Sequence, residues 1–176
     1  VCSSDLADLA GDVKQQVAAR VILDFVAFDI AHVVGIGCGN HDVAGRARHA
    51  LARAGVVDAR ETAKKIAASP IVEQEGELCF TLYNAAGDSI LTSTGIIIHV
   101  GTMGAAIKYM IENDWESNPG INPGDMFTNN DCAIGNVHPC DIATIVPIFW
   151  EGRLIGWVGG ETIMNDKLLH GYVETN

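Results

Sequence analysis

Glu77-Leu-Cys-Phe-Thr-Leu-Tyr-Asn-Ala-Ala-Gly-Asp-Ser-Ile-Leu-Thr-Ser-Thr94 is the stretch where the chain changes its hydrophobic period. Leu78, Phe80 and Leu82 fall on one side of an extended chain and Glu77, Thr81 and Tyr83 on the other, the alternation of a half-buried strand. Ala85-Ala86-Gly87-Asp88 supplies a turn, so Ser89 to Thr94 is predicted to return as the second arm of a hairpin.

Upstream the spacing is helical. Val43, Ala47, Ala50, Leu51 and Ala54 mark an amphipathic helix that Gly55 can end, and Asp58 followed by Glu61 resembles a capping box opening a second helix with Ala59, Ala63, Ile66 and Ala67 on one face. Ser69-Pro70 is predicted to stop it. Farther back, Val17, Val21, Phe25, Phe28 and Val33 suit a helix, although Val21 to Leu23 would equally suit a buried strand. Gly35, Gly37 and Gly39 punctuate the chain without the spacing of a nucleotide-binding loop, so a plain turn is expected. Val1 to Leu6 has no initiator Met and resembles a translated sequencing adapter; it is expected to be non-native, with residues 7–176 forming part of one domain truncated at its C-terminus.

Downstream, Gly95 to Val100 is read as a strand or connector that delivers His99 ahead of a helix from Gly101 to Asn113, whose apolar stripe is Met103, Ala106, Ile107, Met110 and Ile111. Two turns, Asn118-Pro119-Gly120 and Asn122-Pro123-Gly124, follow. Ile142 to Trp150 and Arg153 to Val158 form a second hairpin across Glu151-Gly152, with Pro147 implying a sheet edge or a bulge. The fold class is therefore α+β: N-terminal helices, then a β-rich core with hairpins and one amphipathic helix.

Composition bounds the function. The 176 residues, 48% of them hydrophobic, suffice for a real core. A net charge of −11 disfavours nucleic acid and anionic membrane as partners. Five cysteines, an odd number without regular spacing, read as reduced thiols in a cytoplasmic setting. Val21 to Gly37, the most apolar early run, is broken by Asp24, Asp29 and His32, which argues against a signal peptide or a membrane span.

The reactive side chains concentrate in Gly124 to Asp141, G-D-M-F-T-N-N-D-C-A-I-G-N-V-H-P-C-D. His138 and Asp141 offer an imidazole nitrogen and a carboxylate oxygen to a divalent metal such as Mn²⁺, Fe²⁺ or Zn²⁺. Alternatively, the two hydrogen-bond loop backbone and cap the following strand, the reading that spacing alone favours, since two ligands without a third make a weak metal signal. Asp131 could orient His138 or form an Asx-turn with Asn129 and Asn130. Cys132 and Cys140 flank His138, but without a C-x-x-C pair they are read as structural thiols. His99 is a satisfied histidine or a pocket residue. No catalytic residue is assigned.

The strings S-P-I-V at Ser69 to Val72, L-Y-N-A-A-G-D at Leu82 to Asp88, H-V-G-T-M at His99 to Met103, N-P-G-I-N-P-G-D-M-F-T-N-N-D at Asn118 to Asp131 and H-P-C-D at His138 to Asp141 resemble the hydantoinase B/oxoprolinase family. Within it they are most similar to the branch of acetone carboxylase alpha subunits. That resemblance implies a cytoplasmic hetero-oligomer with beta and gamma subunits that converts acetone, a small ketone, and bicarbonate to acetoacetate. It implies Mn²⁺ in the alpha subunit, with His138 and Asp141 among its ligands, and ATP bound by the partner beta subunit rather than by this chain. Two alternatives are a B-type subunit of an ATP-dependent hydantoinase or 5-oxoprolinase and a non-catalytic assembly module. One departure stands out: the family's G-G-x-T-H string, whose His is the third ligand, reads Gly159-Gly160-Glu161-Thr162-Ile163 here. Isoleucine has no ligand atom, so a frame or read artefact is suspected, with His170 as a remote substitute.

Overall fold

A computed structural model describes residues 43–67, 70–93 and 95–163, with side chains described within 52–162. The expectations for Val1 to Leu6, Asp12 to Val34, the glycines at 35–39 and His170 lie outside the described residues.

The architecture is α+β. Helix α1 (Val43–Ile66) precedes strands β1 (Leu78–Asn84) and β2 (Ser89–Thr92), helix α2 (Ile98–Glu112), strand β3 (Phe127–Asn129) and strands β4 (Asp141–Trp150) and β5 (Arg153–Ile163). The strands form one antiparallel sheet in the order β2-β1-β5-β4-β3. One face carries Leu78, Phe80, Leu82, Val146, Ile148 and Val158 against Val56 and Ala59 of α1. The other carries Tyr83, Ala143, Ile145 and Trp157 against Met103, Ala106, Ile107 and Met110 of α2. A helix thus covers each face.

Both predicted hairpins form. Glu151 and Gly152 take φ of 49° and 75°, the left-handed pair of a two-residue turn whose twist matches its strands. Pro147 lies beyond the reach of β3, which pairs no farther along β4 than Ile145, and a bulge follows between Ile148 and Phe149. Its missing N–H is therefore tolerated where the ladder is already open.

Three expectations change. First, α1 runs through Gly55 without a break. Ala52, Val56 and Ala59 are spaced four and three residues apart and are all buried, so one continuous stripe packs on the sheet and outweighs the local glycine cost. Asp58 and Glu61 consequently sit inside a helix and not at a cap. Arg60 fastens this helix to the start of β1, donating to the carbonyls of Gly76 (2.8 Å) and Leu78 (3.3 Å).

Second, β1 is buried on both faces rather than one, because α2 covers the face that Thr81 and Tyr83 occupy. The Tyr83 hydroxyl donates to the Val100 carbonyl at 2.7 Å, and burial pushes its pKa upward. Third, α2 begins at Ile98, so His99 lies in its first turn instead of ahead of it. No strand in the sheet takes up Ile96 to Ile98 as a partner, and Ile97 and Ile98 remain exposed. No helix among the described residues is long and apolar enough to cross a membrane.

β5 is the central strand and carries Gly159 and Gly160. A Cβ on Gly160 would lie 2.7 Å from the Phe80 ring, so the aromatic packs directly on bare backbone. Gly160→Ala is expected to lower stability by about 1–3 kcal/mol through overpacking, read by urea denaturation. Gly55→Ala is expected to raise it by about 0.5–1 kcal/mol, the helix-propensity difference; a loss would mean that the helix breaks at Gly55.

Candidate metal centre

The segment between β3 and β4 is held by its own short polar side chains. Asn129 Oδ1 accepts from the Asp131 N–H at 3.0 Å, and Asp131 Oδ1 accepts from the Ala133 N–H at 2.8 Å, capping a 3₁₀ turn over Cys132–Ile134. Asp131 is exposed and its Oδ1 makes this Asx-turn, as short polar residues often do. Gly135 then turns the chain with φ 95°. The buried Asn136 amide donates to the carbonyls of Asp141 (2.6 Å) and His138 (3.1 Å).

Those bonds fold His138 to Asp141 into a tight turn around Pro139. The Asp141 N–H reaches the His138 carbonyl at 3.1 Å, and the His138 N–H reaches Asp141 Oδ2 at 3.2 Å. His138 Nδ1 stands 3.0 Å from the same oxygen. The histidine side chain is 65% exposed, whereas the aspartate is 1% exposed. The turn therefore holds a buried carboxylate beside an accessible imidazole. Asp141 opens β4, and its register partner on β5 is Ile163. The position without a ligand atom thus lies directly across the ladder from Asp141.

A second histidine comes from helix α2. His99, in the first turn of α2, places Nδ1 2.7 Å from Oε1 of Glu161, with both side chains almost wholly buried. The two atoms face each other at ion-pair distance, and neither has a hydrogen-bond partner among the described residues. Glu161 Oε2 is anchored by the Thr102 hydroxyl at 2.5 Å, and that hydroxyl also lies 2.9 Å from the His99 carbonyl. Burial works to lower the His99 pKa, but Glu161 beside it, with Asp141 and Glu77 farther off, outweighs burial, and the net direction is upward.

Ligand-type atoms of His138, Cys140 and Asp141 lie within 4.8 Å of one another, and so do those of His99, Asp141 and Glu161. Asp141 belongs to both groups. Cys140 Sγ is 3.8 Å from Asp141 Oδ1, whereas exposed Cys132 donates to the Val137 carbonyl and Cys79 is buried; none of these three is in a disulfide. Two donors bound side by side to an ion at about 2.1 Å stand about 3 Å apart, close to the separations of His138 from Asp141 and of His99 from Glu161. Imidazole with carboxylate suits Mn²⁺, Fe²⁺ or Zn²⁺. On this donor chemistry, and on the orphaned atoms of His99 and Glu161, the residues present fit a divalent ion.

Glu161 is the member that sequence reasoning missed. Its signal was available: an acid at an alternate position in the apolar run Trp157 to Ile163 must be buried if the strand is central, and buried acids need partners.

A hydantoinase B/oxoprolinase family model matches residues 48–167. The acetone carboxylase alpha subunit of Xanthobacter autotrophicus is 85% identical over 114 residues, which are 65% of this chain and 15% of that protein. The acetophenone carboxylase delta subunit of Aromatoleum aromaticum is 30% identical over 82 residues, 47% of this chain and 12% of that one. Among solved structures, nucleotide-free acetone carboxylase matches at 86% identity with a TM-score of 0.62, covering 63% of this chain and 14% of that one. The chain therefore spans about a seventh or less of the length of these relatives.

The turn itself is testable. Asn136→Ala removes both carbonyl contacts from a buried position and is expected to cost about 1–3 kcal/mol, measured by thermal denaturation.

Proposed function

The chain belongs to the hydantoinase B/oxoprolinase family, and from that premise we propose that it is part of the metal-binding alpha subunit of an ATP-dependent acetone carboxylase. The reaction would join acetone and bicarbonate to give acetoacetate, with beta and gamma subunits as partners and ATP handled by the beta subunit, in the cytoplasm. Identity of 85% to the Xanthobacter alpha subunit, against 30% to the acetophenone carboxylase subunit, carries the choice of ketone. By the same reading residues 7–176 are part of one hydantoinase B-like domain, with Val1 to Leu6 outside it. Exposed Ile97 and Ile98, 78% and 54% accessible, suit a surface that more of the subunit covers.

Within this reading His138 and Asp141 are ligands of Mn²⁺. The turn around Pro139 supports this, because it sets the two donors 3.0 Å apart while the Asn136 amide holds both of their carbonyls. Bound Mn²⁺ would supply Lewis-acid polarisation of a substrate oxygen. The chain's own work is positional. Asp141 is fixed by the β4–β5 ladder and the exposed His138 imidazole is open to solvent and substrate. Asp131 stands outside the ligand set, since its carboxylate caps the neighbouring turn. Position 163, opposite Asp141, is where the family pattern supplies a third ligand, and Ile163 leaves the loop pair short of it.

The test is a chimera in which residues 48–163 replace the matching stretch of the Xanthobacter alpha subunit within its complex. With Ile163→His it is expected to form acetoacetate from acetone and bicarbonate, and with Ile163 retained to lose at least about tenfold, the usual scale for a lost metal contact. Turnover of hydantoin or oxoproline in place of acetone would establish the cyclic-amide alternative. Full activity after His138→Ala would leave only the assembly-module alternative.

A further inference from the structure

The buried group formed by His99, Asp141 and Glu161 does not depend on His138 or on the residue at position 163. Its three side chains come from the first turn of α2, the start of β4 and the end of β5, and their ligand atoms lie within 4.8 Å of one another. All three residues are at most 2% exposed. Two ligand-type atoms, His99 Nδ1 and Glu161 Oε1, are sealed from water and face each other at 2.7 Å, and neither has a hydrogen-bond partner among the described residues, which is rare for buried polar atoms.

We propose that His99, Asp141 and Glu161 form an inner divalent-cation site, adjoining the loop pair and sharing Asp141 with it. Charge balance favours this. Two carboxylates and a neutral imidazole around a divalent ion sum to zero, whereas the same groups without a cation leave net negative charge in a sealed volume. Support for the ligands is also in place: Thr102 holds Glu161 Oε2 at 2.5 Å, which leaves Oε1 turned toward His99, the usual way an outer hydrogen bond orients a metal-binding carboxylate. A mixed imidazole and carboxylate set of this kind suits Mn²⁺ or Fe²⁺. The inference goes beyond the carboxylase reading, because it requires this chain to hold an ion with Ile163 in place.

Mn²⁺ is titrated into the 176-residue chain, and the free aquo-ion signal is followed by electron paramagnetic resonance. The chain is expected to bind one ion. Glu161→Gln and His99→Gln should each raise the Kd at least about tenfold, and His138→Ala less than about threefold. Spin-echo nitrogen modulation from one imidazole should vanish in His99→Gln and persist in His138→Ala. Absence of binding by the unaltered chain, or wild-type binding by Glu161→Gln, overturns the inner site and leaves the loop assignment to be judged by the chimera. Loss of binding in His138→Ala alone also overturns it, in favour of the loop pair. Should Glu161→Gln fail to fold by circular dichroism, Thr102→Val is read instead: weaker binding supports the site, and unchanged binding counts against it.

Discussion

Everything that converges at the candidate centre is fixed by the β4–β5 ladder. Its pairs run from Trp150 with Arg153 at the turn to Asp141 with Ile163 at the far end. Backbone pairing is indifferent to side-chain chemistry but strict about register, since a slip of one residue sends every side chain to the other face. The ladder therefore decides that Asp141 and Glu161 lie on neighbouring strands at one end of the sheet. It also decides that α2, packed over Ala143, Ile145 and Trp157, can reach them with His99 and Thr102. The glycines of β5 allow that approach, because a Cβ on Gly159 would lie 2.6 Å from Met103 Sδ.

The periodic elements were legible in the sequence: the two hairpins, the apolar stripe of α2 and the turn around Pro139 all follow from local pattern and turn chemistry. What was not legible depended on tertiary cover. Whether β1 is buried on one face or two cannot be read from Thr81 and Tyr83, because both residues suit either environment until a helix is laid over them. Gly55 looked like a helix end because a lone glycine carries that local preference, yet the buried stripe through Val56 overrode it. Ile96 to Ile98 read as a strand because β-branched runs usually do, but no strand of the sheet pairs with them.

The loop showed the same division. His138 and Asp141 were visible as a pair because they lie three residues apart, and the turn that joins them is local. Their likeness to a family string made the pair stand out, and the family membership rests on a match across residues 48–167. Glu161 is separated from Asp141 by the whole hairpin, and His99 from Glu161 by most of the described chain. No spacing rule joins them; only the sheet register and the docking of α2 do.

The dispersed origin of the inner group has a consequence for the order in which it is assembled. β4 and β5 are joined by a two-residue turn, so their pairing closes a short loop, whereas β1 must reach β5 across more than seventy residues and brings α2 with it. Short loops close at the lower entropic cost, and local contacts form early. On those grounds the hairpin is expected to bring Asp141 and Glu161 together before His99 arrives. In that interval two carboxylates approach each other with no cation from the chain between them, and like charges at close range repel. By the inner-site proposal, a divalent ion would lower that repulsion while the hairpin closes.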